Sequence, residues 1–569
     1  MNSYQHTFHI PVMGLSYTVD TPIKIAKYGI TSVVSIVQDE LVERARKYYS
    51  SLNNLPFTPI SKKDPEYRSK RITAYLNLSN ELVKRDFEAL KNDPEELTKY
   101  ARMLPGNVTL EELRANLDQL KPGKIDVNIM TKLDRQPSEN DDMLTEASSA
   151  VKGFADSDLE ASIVLSAGLN PRLFSFMENL EDFFPDGNGQ IKKKIVLKVS
   201  DYRSSLIQGK MLAKKGLWVS EYRIESGLNC GGHTFATDGL LMGPILEEFK
   251  KERDNLFKEQ ETICREAWER MDKLPAKGLE LLVTVQGGIG TSAEREMLEE
   301  MYDVHATGWG SPFLLVPEAT SIDDQTLKEL SDAGEDDIYN SGVSPLGVSF
   351  NTIRNNSADQ WRKQNIENGK PGFTCHQKHL ALDNSVEKTG ICTASVKYQK
   401  RKIEELKSQN LDPETYQKAF DKIVEKECLC DGLSNSFYKK FNLSARAQNE
   451  GVSVCPGPNL AYFDRTYSLE EMVGHIYGKN NVVEMERPHL FIKELGLYVE
   501  HFEKLHAEAD DSPKTARQLK KFEANLLAGI KYYEDIASEI CAGELQKFKD
   551  SLNEFKIRVQ PEELITETV

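Results

Sequence analysis

The sequence predicts an α/β chain built on a (β/α)8 TIM barrel, with a helical insertion near its start and a Cys-rich, then helical, C-terminal extension. Three observations carry this. Apolar strand-like runs alternate with helical patterns through about the first 350 residues, as in a parallel sheet covered by helices. About eight such units fit in that length, which suits a closed barrel. No Gly-x-Gly-x-x-Gly follows the first strand, as an open dinucleotide-binding sheet would have it.

The elements follow in order. His9-Ile-Pro-Val-Met-Gly14 reads as a short strand, Thr21-Pro22 as a helix start with Pro in its first turn, and Gly29 to Ile36 as a second strand. Residues 38–121 are rich in Glu, Lys, Arg and Leu at helical spacing and read as an insertion. At the open end of a barrel such an insertion would shape access to the interior. Strand-like runs then recur at Ile125–Met130, Ala161–Ser166, Lys194–Val199, Trp218–Ile224, Leu281–Gln286 and His305–Gly308, with helices between them. The expected division is a barrel over 1–357, a Cys-rich stretch over 358–470 and amphipathic helices over 471–569.

Composition bounds the function. With 39% apolar and 28% charged residues, the 569-residue chain has the make-up of a soluble globular protein. No apolar run approaches the roughly 20 residues of a membrane span. Met1 to Tyr17 lacks a basic start followed by an apolar stretch, so a cytoplasmic protein is expected. The net charge of −17 disfavours long nucleic acids and anionic membranes as partners.

Three segments carry chemistry. Glu225-Ser-Gly-Leu-Asn-Cys-Gly231-Gly232-His233 follows a strand, and strand C-termini face the active site of a parallel barrel. Gly231 and Gly232 let backbone approach a ligand, and His233 is the side-chain type that takes a proton at neutral pH. A plain turn with a satisfied histidine is the competing reading. Gln286-Gly287-Gly288-Ile-Gly290 lies between a strand and a helix, where bare N–H groups and the helix dipole favour a phosphate. Gly308-Trp-Gly310-Ser311 follows the next strand, and the last two loops of phosphate-binding barrels share that anion.

Gly-Gly-His after an acidic residue, a Gly-Gly-Ile loop and a final Gly-Ser loop before Phe313 together resemble the nitronate monooxygenase (nitropropane dioxygenase) family, which is grouped with the flavin-dependent enoyl reductases. Pro11-Val-Met-Gly14 resembles that family's first strand, and Asp126-Val-Asn128-Ile its Gly-Val-Asn strand. The match covers 9–37 and 125–350. The resemblance implies an FMN-binding barrel and an oxidoreductase. It implies His233 as the catalytic residue and Met13, Gly14, Asn128 and Lys198 near the isoalloxazine. Gly231 and Gly232 would lie against the cofactor, and Gly287, Gly288, Gly310 and Ser311 would hold the FMN phosphate. Pro312 stands where such families often carry Arg, and the substrate stays open. It is a nitronate oxidised with O2, or an enoyl thioester or other small molecule reduced with NAD(P)H. A homo-oligomer is an open alternative. The reading from another class is a non-redox barrel that binds a phosphorylated ligand as a scaffold, with a metal-binding C-terminal module.

Cys375, Cys392, Cys428, Cys430 and Cys455 cluster in the extension. Thiolates hold zinc and iron–sulfur clusters, so these five are candidate metal ligands. They include no Cys-x-x-Cys, and buried inert thiols are the alternative.

Overall fold

The computed structural model describes residues 4–131, 134, 144–166, 168–443, 449–540 and 544–560. Its strands are β1 (Phe8–Ile10), β2 (Thr31–Ser35), β3 (Ile125–Ile129), β4 (Ser162–Leu165), β5 (Lys194–Val199), β6 (Val219–Glu225), β7 (Gly232–His233), β8 (Leu282–Gln286), β9 (Ala306–Gly308), β10 (Ile338–Ser341) and β11 (Phe350–Ile353). Eight of them close a parallel barrel in the order β1-β2-β3-β4-β5-β6-β8-β9. Closure is made where Phe8 and His9 on β1 pair with Thr307 and Gly308 on β9. The predicted fold class is the observed one. β7, only two residues long, leaves the barrel after β6 and pairs antiparallel with β11, which pairs with β10 in a small sheet of its own.

The barrel strands are buried on both faces because helices cover them outside and side chains fill them inside. Val33, Val164 and Val196, with Val12 against them, form a separate apolar layer within the barrel. Another interior layer is polar. Arg223 pairs with Glu221 at 2.7 Å, and Thr284 Oγ1 donates to Glu221 at 2.5 Å. Burial pushes the Glu221 carboxyl up, but Arg223 and its other partners outweigh this and hold it below its usual value.

The crossover from β1 to β2 contains only a five-residue helix, Thr21–Ile25, and a 3-10 turn. That is too little to cover the barrel wall. The 24-residue helix Tyr67–Leu90, from the stretch read as an insertion, packs beside it and against Glu146–Ala155. Gly153 permits the second contact, since a Cβ there would lie 2.8 Å from Ser69 O and from Ile72. Arg68 and Arg71 from this helix converge on Asp39 at 3.2 and 2.7 Å. The helices of 38–121 thus lie on the flank and, among the described residues, lend nothing to the cavity at the barrel mouth.

The C-terminal extension takes that place. The Leu433 carbonyl, on helix Leu429–Lys440, accepts from the N–H and the hydroxyl of Ser16 at 3.1 and 2.8 Å. Tyr17, fully buried, donates its hydroxyl to Ser453 O at 2.5 Å. Both contacts fall just after β1, on the C-terminal side of the barrel. Three helices, Leu490–Ala507, Pro513–Ile540 and Leu545–Val559, complete the extension. Among the described residues no helix is long and apolar enough to cross a membrane.

Candidate active site

The C-terminal ends of the barrel strands surround a cavity of about 250 Å³. Its wall brings together every cofactor and catalytic candidate named from the sequence: Met13, Gly14, Asn128, Lys198, Gly231, Gly232, His233, Gly287, Gly288, Gly310 and Ser311. Each arrives by the same logic, as a residue at or just past the end of a strand. Gly14 is required as glycine, with φ +54° and a Cβ position 2.9 Å from the Tyr17 ring.

Charge inside the cavity is concentrated in one pair. Lys198 Nζ at the end of β5 lies 3.0 and 3.2 Å from the two Glu225 oxygens at the end of β6. Gln286 at the end of β8 donates to Glu225 at 2.6 Å. Burial raises the Glu225 carboxyl, but Lys198 and these hydrogen bonds hold it below the ordinary carboxylate value. The pair therefore presents a fixed cation and anion on adjacent strands.

His233 sits on β7 opposite Phe350 of β11, edge-on to that ring at 5.0 Å. Its Nε2 lies 2.7 Å from the hydroxyl of the buried Ser344, which fixes the ring plane. The segment before it is held at three points. Asn351 donates to Cys230 O at 2.6 Å and to Leu228 O at 3.2 Å. Ser226 donates to Glu494 at 2.6 Å. Glu494 also accepts the Met242 N–H at 2.9 Å, at the start of helix Met242–Arg270.

The two glycine loops are built differently from the expected open helix N-terminus. Helix Ser292–Tyr302 is closed by its own chain: Thr291 caps Glu294 N, and Gly290 N donates to Glu294 Oε2 at 2.8 Å. The turn just before it faces the cavity instead. Gly287 and Gly288 have φ of +106° and +81°, and Cβ atoms there would fall 2.5 Å from Cys230 Sγ and 1.9 Å from Asn229 Nδ2. Only glycine fits both demands. Arg487 locks this turn from outside. It pairs with Glu294 at 2.6 Å, donates to Asn459 Oδ1 at 2.8 Å and to Gly288 O. Asn459 in turn donates to Ile289 O at 2.8 Å. In the other loop, Ser311 Oγ accepts the Gly457 N–H at 2.7 Å. A hydroxyl that accepts in this way keeps its proton for donation.

Two amides on the wall lack partners. Asn128 Oδ1 and both polar side-chain atoms of Asn229 are buried with no hydrogen bond to protein among the described residues. Such groups cost about 1–3 kcal/mol each unless a ligand or water meets them. Orphaned amides, bare glycine backbone and a Lys–Glu pair on one cavity wall fit the polar ring edge, polyol and phosphate of a flavin nucleotide.

The cysteines are a correction. Cys455 does not join the others but lines the barrel cavity beside Gly231 and Gly232. The rest lie in the extension, where Cys428 Sγ approaches Asp431 at 3.8 Å. Among the described residues no three of His, Cys, Asp and Glu come together as a metal ion would need. Burial pushes the Cys428 and Cys430 thiols up and that of Cys455 up to about 12. Cys375 alone is lowered, by its hydrogen bond with Cys392. Among the described residues, Cys375, Cys392, Cys428, Cys430 and Cys455 therefore do not assemble the ligand set that a zinc or iron–sulfur centre would need.

Sequence reasoning missed Asn229, Cys230, Gln286, Asn459, Arg487 and Glu494. Gln286 and Cys230 directly precede glycine pairs, and position alone marks them. Arg487, Asn459 and Glu494 reach the site through tertiary packing and carry no local signal.

No family model and no curated protein matches the chain. Among solved structures it is similar to FabK from Thermotoga maritima, at 12% identity and a TM-score of 0.36, over 89% of this chain and 96% of that one. It is similar to the enoyl reductase domain of MlnA, from the macrolactin biosynthesis cluster of Bacillus amyloliquefaciens, at 11% and 0.38, over 93% and 96%. It is also similar to nitroalkane oxidase from Streptomyces ansochromogenes, at 8% and 0.36, over 83% and 94%. At these TM-scores the likenesses decide nothing about chemistry, which rests on the site itself.

Two predictions follow from the bracing of the site. Arg487→Ala leaves the buried Glu294 without its cation and is expected to lower the unfolding free energy by about 3–5 kcal/mol. Chemical denaturation within 1 kcal/mol of the parent would contradict that assignment. The second concerns pH. Burial pushes Glu494 up to about 7 and Glu427 likewise, above their ordinary 4.5. Each holds its proton more tightly folded than unfolded, so its contribution is complete below about 4.5 and lost as pH rises through 7. Glu494→Gln is expected to gain stability relative to the parent between pH 5 and 8; a difference that stays constant across that range would refute it.

Proposed function

We propose that this chain is an FMN-dependent oxidoreductase, cytoplasmic, acting on a small-molecule substrate that carries an apolar acyl chain. The observation that carries the reading is the cavity at the strand C-termini, where His233, the Lys198–Glu225 pair, Asn128 and two glycine loops share one wall. FMN, when bound, supplies the two-electron redox step. Met13, Gly14, Asn128 and Lys198 would hold the ring. Gly287, Gly288, Gly310 and Ser311 would hold the phosphate, with the Ser311 hydroxyl donating, and Gly231 and Gly232 clear backbone beside the cofactor.

His233 handles the proton. Imidazole exchanges a proton near neutral pH, and Ser344 and Phe350 fix its ring at the cavity wall. In a reduction it delivers the proton that accompanies hydride addition to a conjugated double bond. In an oxidation it removes the proton next to an electron-withdrawing group. The cavity rim favours the first. Leu15, Phe235, Pro312, Leu346 and Leu433 line it, and such an apolar surface suits an acyl chain more than a small polar nitronate. We therefore favour reduction of an enoyl thioester with NAD(P)H over nitronate oxidation with O2.

NAD(P)H-dependent loss of an enoyl thioester is expected, without oxygen uptake on a nitronate. His233→Ala is expected to retain FMN and lower turnover by about two to four orders of magnitude. Turnover equal to the parent would remove His233 from the chemistry, and nitronate-dependent oxygen uptake alone would reverse the choice of reaction.

A further inference from the structure

Asn229 is 1% exposed, and among the described residues neither its amide nitrogen nor its amide oxygen meets a protein partner. Exchanging the two atoms by flipping the amide changes nothing, because both are orphaned. Its backbone is not strained into place: the Asn229 N–H donates to Ser226 Oγ at 3.2 Å, and Ser226 is anchored on Glu494. The side chain is therefore held over the Gly287–Gly288 turn by a built scaffold. The nearness is direct, since a Cβ on Gly288 would lie 1.9 Å from Asn229 Nδ2 and 2.5 Å from its Cγ. A Leu or Met at this buried position would avoid the cost of two stranded polar atoms.

The chemistry of the orphan pair selects its partner. A phosphate at neutral pH is an acceptor of hydrogen bonds, so it satisfies Nδ2 and repels Oδ1. A polyol hydroxyl donates and accepts, and two neighbouring hydroxyls satisfy both ends of one amide. The ring edge of a flavin also offers both, but Asn229 lies at the Gly287–Gly288 turn, on the side of the cavity assigned to the phosphate. We infer that Asn229 binds the ribityl hydroxyls of the flavin, a role that rests on the FMN reading above and extends it.

The test uses the full-length chain freed of flavin, with FMN, riboflavin and lumiflavin, which has the ring but neither polyol nor phosphate. Dissociation constants come from quenching of flavin fluorescence. Asn229→Leu is expected to weaken FMN and riboflavin by the same factor, about 10-fold or more for two lost hydrogen bonds. Lumiflavin is expected to bind unchanged, and the flavin-free variant to melt no lower than the parent. Asn229→Ala serves as the second variant should Leu perturb folding. Unchanged FMN and riboflavin constants would overturn the inference, assigning the amide to water. A loss confined to FMN would overturn it in favour of the phosphate, and a loss shared by lumiflavin in favour of the ring. If the parent itself bound no flavin, the cofactor reading would fall, and this inference with it.

Discussion

A guanidinium buried far from the barrel in sequence, Arg487, joins the extension to the glycine turn at the end of β8. Its side chain is 5% exposed and that of its partner Glu294 is 4% exposed. Taking two such charges out of water is expensive, and the Coulomb term repays it only when further hydrogen bonds use up the remaining donors and acceptors. Here they do. Arg487 also reaches Asn459 and Gly288, and Glu294 also accepts the N–H groups of Gly290 and Leu490. The pair is less a source of stability than a register device. It fixes where the positive-φ turn Gly287–Gly288 stands, and the cavity wall is built from that turn.

The extension is accordingly part of the site and not an appendage to it. Leu433, Cys455 and Asn459 line the cavity, Gly457 is bonded to Ser311, and Glu494 anchors the segment that ends in His233 through Ser226. A Cβ on Gly231 would lie 2.3 Å from Cys455 O, so the pair of glycines before His233 serves a close approach of protein backbone as well as open space for a ligand. Part of the glycine content that reads as a ligand cradle is in fact a seat for the roof.

The barrel was legible because parallel strands covered on both faces must be short, largely apolar runs between helices, and β3, β4, β5 and β8 are of that kind. The site residues were legible for a related reason: a barrel projects whatever follows each strand into one mouth, so Asn128, Lys198, Gly287 and Ser311 meet although they are far apart in sequence. What stayed hidden was set by tertiary contact. The helix Tyr67–Leu90 reads as an insertion because its amphipathic pattern does not say which surface it covers, while the short Thr21–Ile25 helix beside it leaves the gap it fills. The cysteines are a different case: Cys455 turns into the cavity, while Cys375 and Cys392 hydrogen-bond to each other near the buried Cys428 and Cys430, and no metal-holding group forms among the described residues.

The central claim is that the cavity holds a flavin nucleotide. The most direct measurement is the visible spectrum of the purified protein, supplemented with FMN if colourless, followed by identification of the cofactor released on denaturation. The account predicts a flavin spectrum that bleaches on reduction and FMN in the supernatant at about one per chain. A protein that stays colourless, and neither binds nor reduces added FMN, would contradict it.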